Sequence, residues 1–203
     1  MKLTSALAAF AFSLASLAAP DVHAGACCPT TPPESAVSAV SERSIYQLDA
    51  IWTDDSGNPF TLDSLQGRPV VIAMFFASCS YACPILVDDM QRLRAALPEG
   101  IRDRAQFVLV SFDHERDTPA ALAAYRERVE LDRSHWTLLH GTPDNVQELA
   151  MLLGVKFRKT PAGDYAHSNV ITILDERGEV AHQRPGLQGE VATAAQALTL
   201  AVR

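Results

Sequence analysis

Two cysteines separated by three residues stand in the run Ala77-Ser78-Cys79-Ser80-Tyr81-Ala82-Cys83-Pro84. An apolar stretch, 70–76, precedes the run, and apolar residues at helical spacing follow it. It therefore reads as the loop between a strand and a helix. Pro84 suits the first helical position, where its missing N–H leaves nothing unsatisfied. Cys83 is then expected at the positive end of that helix, with Cys79 one loop away, a setting that favours thiolate. Such thiolates can exchange reversibly with a disulfide or take up a soft metal ion. A plain structural disulfide is the third option, although a staple seldom sits on the first βα turn of an α/β chain.

The spacing is one residue longer than the C-x-x-C of thioredoxin-type reductases. It still permits a disulfide, and it also lets two sulfurs converge on one ion without joining. Two thiolates alone suit Cu(I); an added imidazole gives a set that holds Cu(I) or Cu(II). Zinc accepts the same Cys₂His ligation. His167, in Asp164-Tyr165-Ala166-His167-Ser168 just before the apolar run 169–174, is the imidazole expected there. In a thioredoxin-like fold that loop approaches the first βα turn. Reductases of that fold commonly place a proline against the disulfide; here the nearest is Pro161.

Other candidates carry less. Cys27-Cys28, with His23 nearby, fits a transient second copper site, an incidental pair, an intermolecular disulfide or a lipid attachment point. His135, His140 and His182 flank strands and read as packing or surface residues. Trp52 and Trp136 read as core. Glu115-Arg116-Asp117 reads as a solvated charge run at a helix start, matched to the helix dipole, with no part in chemistry.

The elements that must position these residues follow from periodicity. Residues 45–52 and 59–62 alternate around Asp54-Asp55-Ser56-Gly57-Asn58, which predicts a β-hairpin. After the strand at 70–76, Leu86, Met90, Leu93 and Leu97 form a helical stripe that stops at Pro98-Glu99-Gly100. Residues 107–112 are a second buried strand. Thr118-Pro119 and Thr142-Pro143 are two cap signatures, each opening a helix, the second ending at Gly154. Between them 136–139 is a short strand. Residues 169–174 and 179–183 make a fourth and a fifth strand, joined at Asp175-Glu176-Arg177-Gly178, and 189–201 a closing helix. Strands alternating with helices predict an α/β fold. The best match is a thioredoxin-like sandwich with a mostly parallel central sheet and an added N-terminal β-hairpin.

Composition sets the outer limits. With 203 residues the chain is long enough for one domain with a real core plus an extension, and its net charge of −7 without a Lys/Arg cluster excludes a nucleic-acid footprint. Residues 1–24 carry one cation, Lys2, then an apolar stretch, then small residues at Val22-His23-Ala24. This is the layout of a secretory signal peptide, and it also fits a lipoprotein signal ahead of Cys27 or an uncleaved membrane anchor. The Pro/Ser/Thr/Ala-rich segment 25–43 reads as a flexible tether, and 44–203 as the folded domain. Export places the cysteines in an oxidising compartment, the periplasm or the outer face of the inner membrane.

With these residues in hand, the chain resembles the Sco/SenC copper-chaperone family. The resemblance rests on Cys79-Ser80-Tyr81-Ala82-Cys83-Pro84, on Ser111-Phe112-Asp113-His114-Glu115-Arg116-Asp117-Thr118-Pro119 and on His167-Ser168, in order and at matching spacing. It implies a thioredoxin-like domain that delivers copper to cytochrome c oxidase. Cys79, Cys83 and His167 are the implied copper ligands, and Asp113 the implied acidic neighbour. The implied partners are a cytochrome c oxidase subunit or another copper chaperone. Two features depart from the pattern: Ser80, Tyr81 and Ala82 lack the acidic residue frequent between the cysteines, and His114 stands where a proline is usual. The first predicts less negative surroundings and weaker Cu(II) binding. The second offers another imidazole, or a solvated loop residue. A thiol–disulfide oxidoreductase and a redox or copper sensor are the competing functions.

Overall fold

In the computed structural model, which describes residues 41–161 and 163–202, the elements alternate much as the periodicity requires. A hairpin of β1 (Trp52–Asp54) and β2 (Pro59–Phe60) comes first, then β3 (Val70–Phe75) and α1 (Ala82–Ala96). A short α2 (Glu99–Arg102), β4 (Gln106–Ser111), α3 (Pro119–Arg128), β5 (Trp136–His140) and α4 (Pro143–Leu153) follow. A second hairpin, β6 (Phe157–Lys159) and β7 (Tyr165–His167), precedes β8 (Val170–Leu174), β9 (Val180–Pro185) and α5 (Ala192–Leu200).

All six residues of β3 are apolar and buried. A strand with no polar face needs cover on both sides and a partner on both edges. The sheet order β2-β1-β5-β4-β3-β8-β9 provides the partners. Strands β3, β4 and β5 run parallel at the centre, with Phe75 opposite Ser111 at the end where the cysteine loop leaves. The additions on both flanks, β1 with β2 and β8 with β9, are antiparallel. Helix α1 packs on α5, and α3 on β5. This is the α/β, thioredoxin-like sandwich with an added N-terminal hairpin.

The cap signatures form as read. Thr118 accepts the N–H of Ala121 and Thr142 that of Asn145, each with proline at the helix start. Gly154 ends α4 at φ 66°, a left-handed conformation that a side chain would strain. A buried ion pair fixes the first hairpin to α3: Arg126 meets both oxygens of Asp55, at 2.7 and 2.6 Å, and bonds the carbonyl of Trp136 at 2.9 Å.

Four local readings need correction. Residues Ile45–Gln47 form a 3-10 helix rather than a strand, because the Ser44 hydroxyl accepts the Tyr46 N–H and starts a turn. Helix α1 starts at Ala82, so Pro84 is its third residue and Cys83 lies inside the first turn. The Pro98 stop opens another turn, α2. Residues 164–168 are not a bare loop: β7 pairs with β6 in a hairpin that the short, half-polar runs did not reveal. Residues 1–40, with the signal segment, most of the tether, His23, Cys27 and Cys28, lie outside the described residues. No helix among the described residues is long and apolar enough to cross a membrane.

Candidate metal centre

Cys79 and Cys83 are free thiols, Cys79 in the loop that leaves the C-terminal end of β3 and Cys83 in the first turn of α1. The helix N-terminus leaves N–H groups without intrahelical acceptors. Tyr81, the cap residue, offers no side-chain bond; the Cys83 N–H instead meets the Cys79 sulfur at 3.3 Å. The sulfur facing the open end of the helix is therefore that of Cys79. Cys83 is fully buried, and burial pushes its thiol well above the ordinary range, partly opposed by a hydrogen bond from the Phe76 backbone. This reverses the expectation of an activated Cys83 thiolate: the first turn of α1 carries it into the core. A bound cation would compensate the burial, since metals displace the thiol proton.

His167 reaches the thiols from β7. One ligand atom from each of Cys79, Cys83 and His167 lies within 4.8 Å of the others. Nδ1 of His167 is 3.2 Å from the carbonyl oxygen of Ser168. A carbonyl only accepts, so Nδ1 carries the proton and Nε2 keeps its lone pair for a metal. Burial lowers the His167 pKa, which favours the neutral, ligating form. The ring is fixed by aromatic walls, with Phe112 at 5.0 Å and Phe76 at 5.8 Å between centroids. Phe112 in turn stacks on Phe157 of β6 at 5.2 Å. The missed hairpin is thus what aims the imidazole.

An open groove of about 290 Å³, lined by Ser78, Cys79, Tyr81, Tyr165 and His167 among others, leads from solvent to this point. Tyr81, between the cysteines, is 76% exposed. Two sulfurs and one imidazole with an open side suit a soft or borderline ion and leave room for an incoming ligand.

The acidic loop after β4 is arranged differently from its sequence reading. Asp113 is fully buried and pairs with Arg116, whose guanidinium lies 6.0 Å from the Phe76 ring centre and 5.9 Å from that of Tyr165. It touches the site through that cation and the aromatic wall. Glu115 pairs with Lys159 of β6 at 2.5 Å, tying the loop to the histidine hairpin. Asp117, read as solvated, is 2% exposed. His114 is half-buried and, like the other described histidines, is not a member of the Cys79, Cys83 and His167 group, the one such cluster found among the described residues.

Fold and site together define a thioredoxin-like dithiol protein with a histidine facing its thiols. The SCO1/SenC family model matches residues 42–202, and the chain belongs to that family. A candidate copper-binding protein of Stutzerimonas stutzeri is 32% identical over 145 residues, which span 68% of each chain. The copper-bound ScoI of Bradyrhizobium japonicum superposes with a TM-score of 0.60 at 25% identity, over 74% of this chain and 96% of that one. A SCO1/SenC family lipoprotein of Bacillus anthracis superposes with a TM-score of 0.69 at 22% identity, over 75% of this chain and 92% of that one.

Proposed function

We propose that this protein is an exported copper metallochaperone that binds one copper ion through Cys79, Cys83 and His167. The observation that carries this reading is the meeting of three ligand atoms within 4.8 Å, from elements distant in sequence, in a SCO1/SenC chain. The copper named for the Stutzerimonas and Bradyrhizobium relatives supports the choice of ion. The copper is cargo. His167, held by Ser168 and the aromatic walls, offers Nε2, and the two sulfurs supply the soft donors that favour Cu(I). A three-coordinate ion at an open groove passes to a recipient by ligand exchange: an incoming thiolate binds before an outgoing one leaves. Asp113 acts on the site through Arg116.

The recipient, on the family resemblance, is a copper centre of cytochrome c oxidase, with another copper chaperone as alternative partner. The signal-like residues 1–24 support export to the periplasm or the outer face of the inner membrane, with 25–43 as tether and 44–203 as the copper-binding domain. Anaerobic Cu(I) titration of the reduced protein tests the reading. The expected result is one tightly held copper per chain, lost in Cys79→Ser and Cys83→Ser and weakened in His167→Ala. Equal binding by all four proteins would remove the site. Mixing the loaded protein with an oxidase copper-subunit fragment tests delivery.

A thiol–disulfide oxidoreductase is the second reading, favoured by a groove-facing Cys79 above a buried Cys83. Cys79 thiolate would attack a partner disulfide, and Cys83 would resolve the mixed disulfide. The partner leaves as a dithiol and the Cys79–Cys83 disulfide remains, to be reset by a thiol reductant. Catalytic reduction of insulin disulfides with glutathione separates this activity from copper carriage.

A further inference from the structure

The Asp117 side chain does not cap α3; Thr118 does that. Its Oδ2 accepts the N–H of Ala77 at 2.7 Å and the hydroxyl of Ser111 at 2.6 Å. Ala77 lies past the last paired residue of β3, so its N–H has no strand partner and needs an acceptor. The Ala77 carbonyl is held as well, by Arg128 Nη2 at 3.0 Å. Arg128 lies over the Tyr125 ring at 4.9 Å, and that ring packs on Phe75 of β3 at 5.0 Å. Asp117 precedes α3 and Arg128 ends it. Side chains from both ends of one helix therefore grip a single residue, two positions before Cys79.

A buried carboxylate is costly unless its bonds are made, and among the described residues no cation forms a salt bridge with Asp117. Its bonds go to the backbone that launches the cysteine loop and to the β4 residue beneath it. Its main-chain carbonyl is also engaged, by His140 Nδ1 at 3.0 Å, so the loop around Asp117 is anchored on β5.

We propose that Asp117 is a positioning residue for the copper site, and that with Arg128 it fixes the Ala77 peptide and hence the direction in which Cys79 leaves β3. This rests on the copper reading of Cys79, Cys83 and His167. Partners that orient a ligand from outside the ligand set change metal affinity by about 10–100-fold when removed. Asp117→Ala should therefore weaken Cu(I) binding at least about tenfold, within that range. Asp117→Asn keeps an oxygen acceptor toward Ala77 and should recover most of the loss. Arg128→Ala, an exposed substitution that leaves the core intact, should weaken binding about threefold, the size of one modest hydrogen bond.

The test pairs Cu(I) competition titration with the equilibrium of the metal-free Cys79–Cys83 dithiol against glutathione. A change in both readouts for Asp117→Ala and Arg128→Ala, with rescue by Asp117→Asn and unchanged circular dichroism, supports the clamp. Binding and dithiol equilibrium equal to the unsubstituted protein in all three variants overturn it. Should Asp117→Ala fail to fold, Arg128→Ala decides alone by the same two readouts. If the unsubstituted protein takes up no copper, the copper reading fails. The dithiol equilibrium then still decides the clamp, a shift supporting it and identity overturning it.

Discussion

The backbone N–H of Cys83 points at the sulfur of Cys79, 3.3 Å away, so one thiol caps the helix that carries the other. The two cysteines are thereby made unequal. Cys79 lines the groove, whereas Cys83 is fully buried with its thiol pushed up by burial. Under anaerobic, reducing conditions without metal, iodoacetamide should label Cys79 on the order of tenfold faster than Cys83, because Cys83 must wait for local opening. Peptide mapping of the time course measures this. Equal rates, or Cys83 first, would contradict the arrangement.

The imidazole depends on the ring behind it. Phe112 stands between His167 at 5.0 Å, Tyr165 at 5.1 Å and Phe157 at 5.2 Å, so it joins the end of β4 to both strands of the histidine hairpin. Truncating a buried phenylalanine leaves a cavity, and Phe112→Ala should destabilise the protein by about 3–5 kcal/mol in urea denaturation. It should also weaken copper binding, since the His167 ring loses a wall. Phe112→Leu, which keeps most of the volume, should affect both less. Copper affinity unchanged in Phe112→Ala would mean that the hairpin positions His167 without this ring.

Much of this arrangement is legible in the amino-acid sequence. The thiol spacing, the apolar β3 run and the Thr-Pro caps speak through local rules, and each forms where those rules put it. His167 was legible as a partner of the thiols, but not as a strand residue. The runs 157–159 and 165–167 are three residues each, too short for alternation to register, and their pairing is made by tertiary packing on Phe112. Asp117 was misread for a related reason. An acid beside a Thr-Pro cap satisfies a local electrostatic rule, and nothing local reveals that its carboxyl turns inward to serve a backbone group forty residues away. The Cys83 environment was misread because a helix starting two residues earlier turns that sulfur from the helix end into the core.

Besides the pairing of β1 with β5, a buried ion pair ties the N-terminal hairpin to α3. Arg126 is 4% exposed and Asp55 6%, and the guanidinium also bonds the carbonyls of Leu131, Asp132 and Trp136. Removing Arg126 leaves the buried Asp55 with only the half-exposed Arg133, at 2.9 Å, as counter-charge, so Arg126→Ala should destabilise by about 3 kcal/mol, the lower end of the range for breaking a buried pair. Replacing both residues with apolar ones should recover part of the loss, because neither charge then remains buried. Urea midpoints of the single and double variants measure it. A single variant within about 0.5 kcal/mol of the unsubstituted protein, the range of an ordinary surface change, would show that the pair carries no weight.

The same pair sets a pH dependence of known sign. Burial by itself would raise the Asp55 pKa, but the hydrogen bonds and charge of Arg126, with the charge of Arg133, outweigh it and hold the carboxyl below its ordinary value. The unfolded chain then takes up a proton at Asp55 before the folded protein does. This contribution to stability is fully present above the unfolded value, about 3.9, and is lost as pH falls through the lower folded value. Unfolding free energy followed from about pH 5 to below the unfolded carboxylate value should fall more steeply in the unsubstituted protein than in Asp55→Asn, which has no proton to bind there. Parallel curves would show that the pair does not hold the proton off. A shallower fall in the unsubstituted protein would reverse the sign and place the burial of Asp55 above its pairing with Arg126.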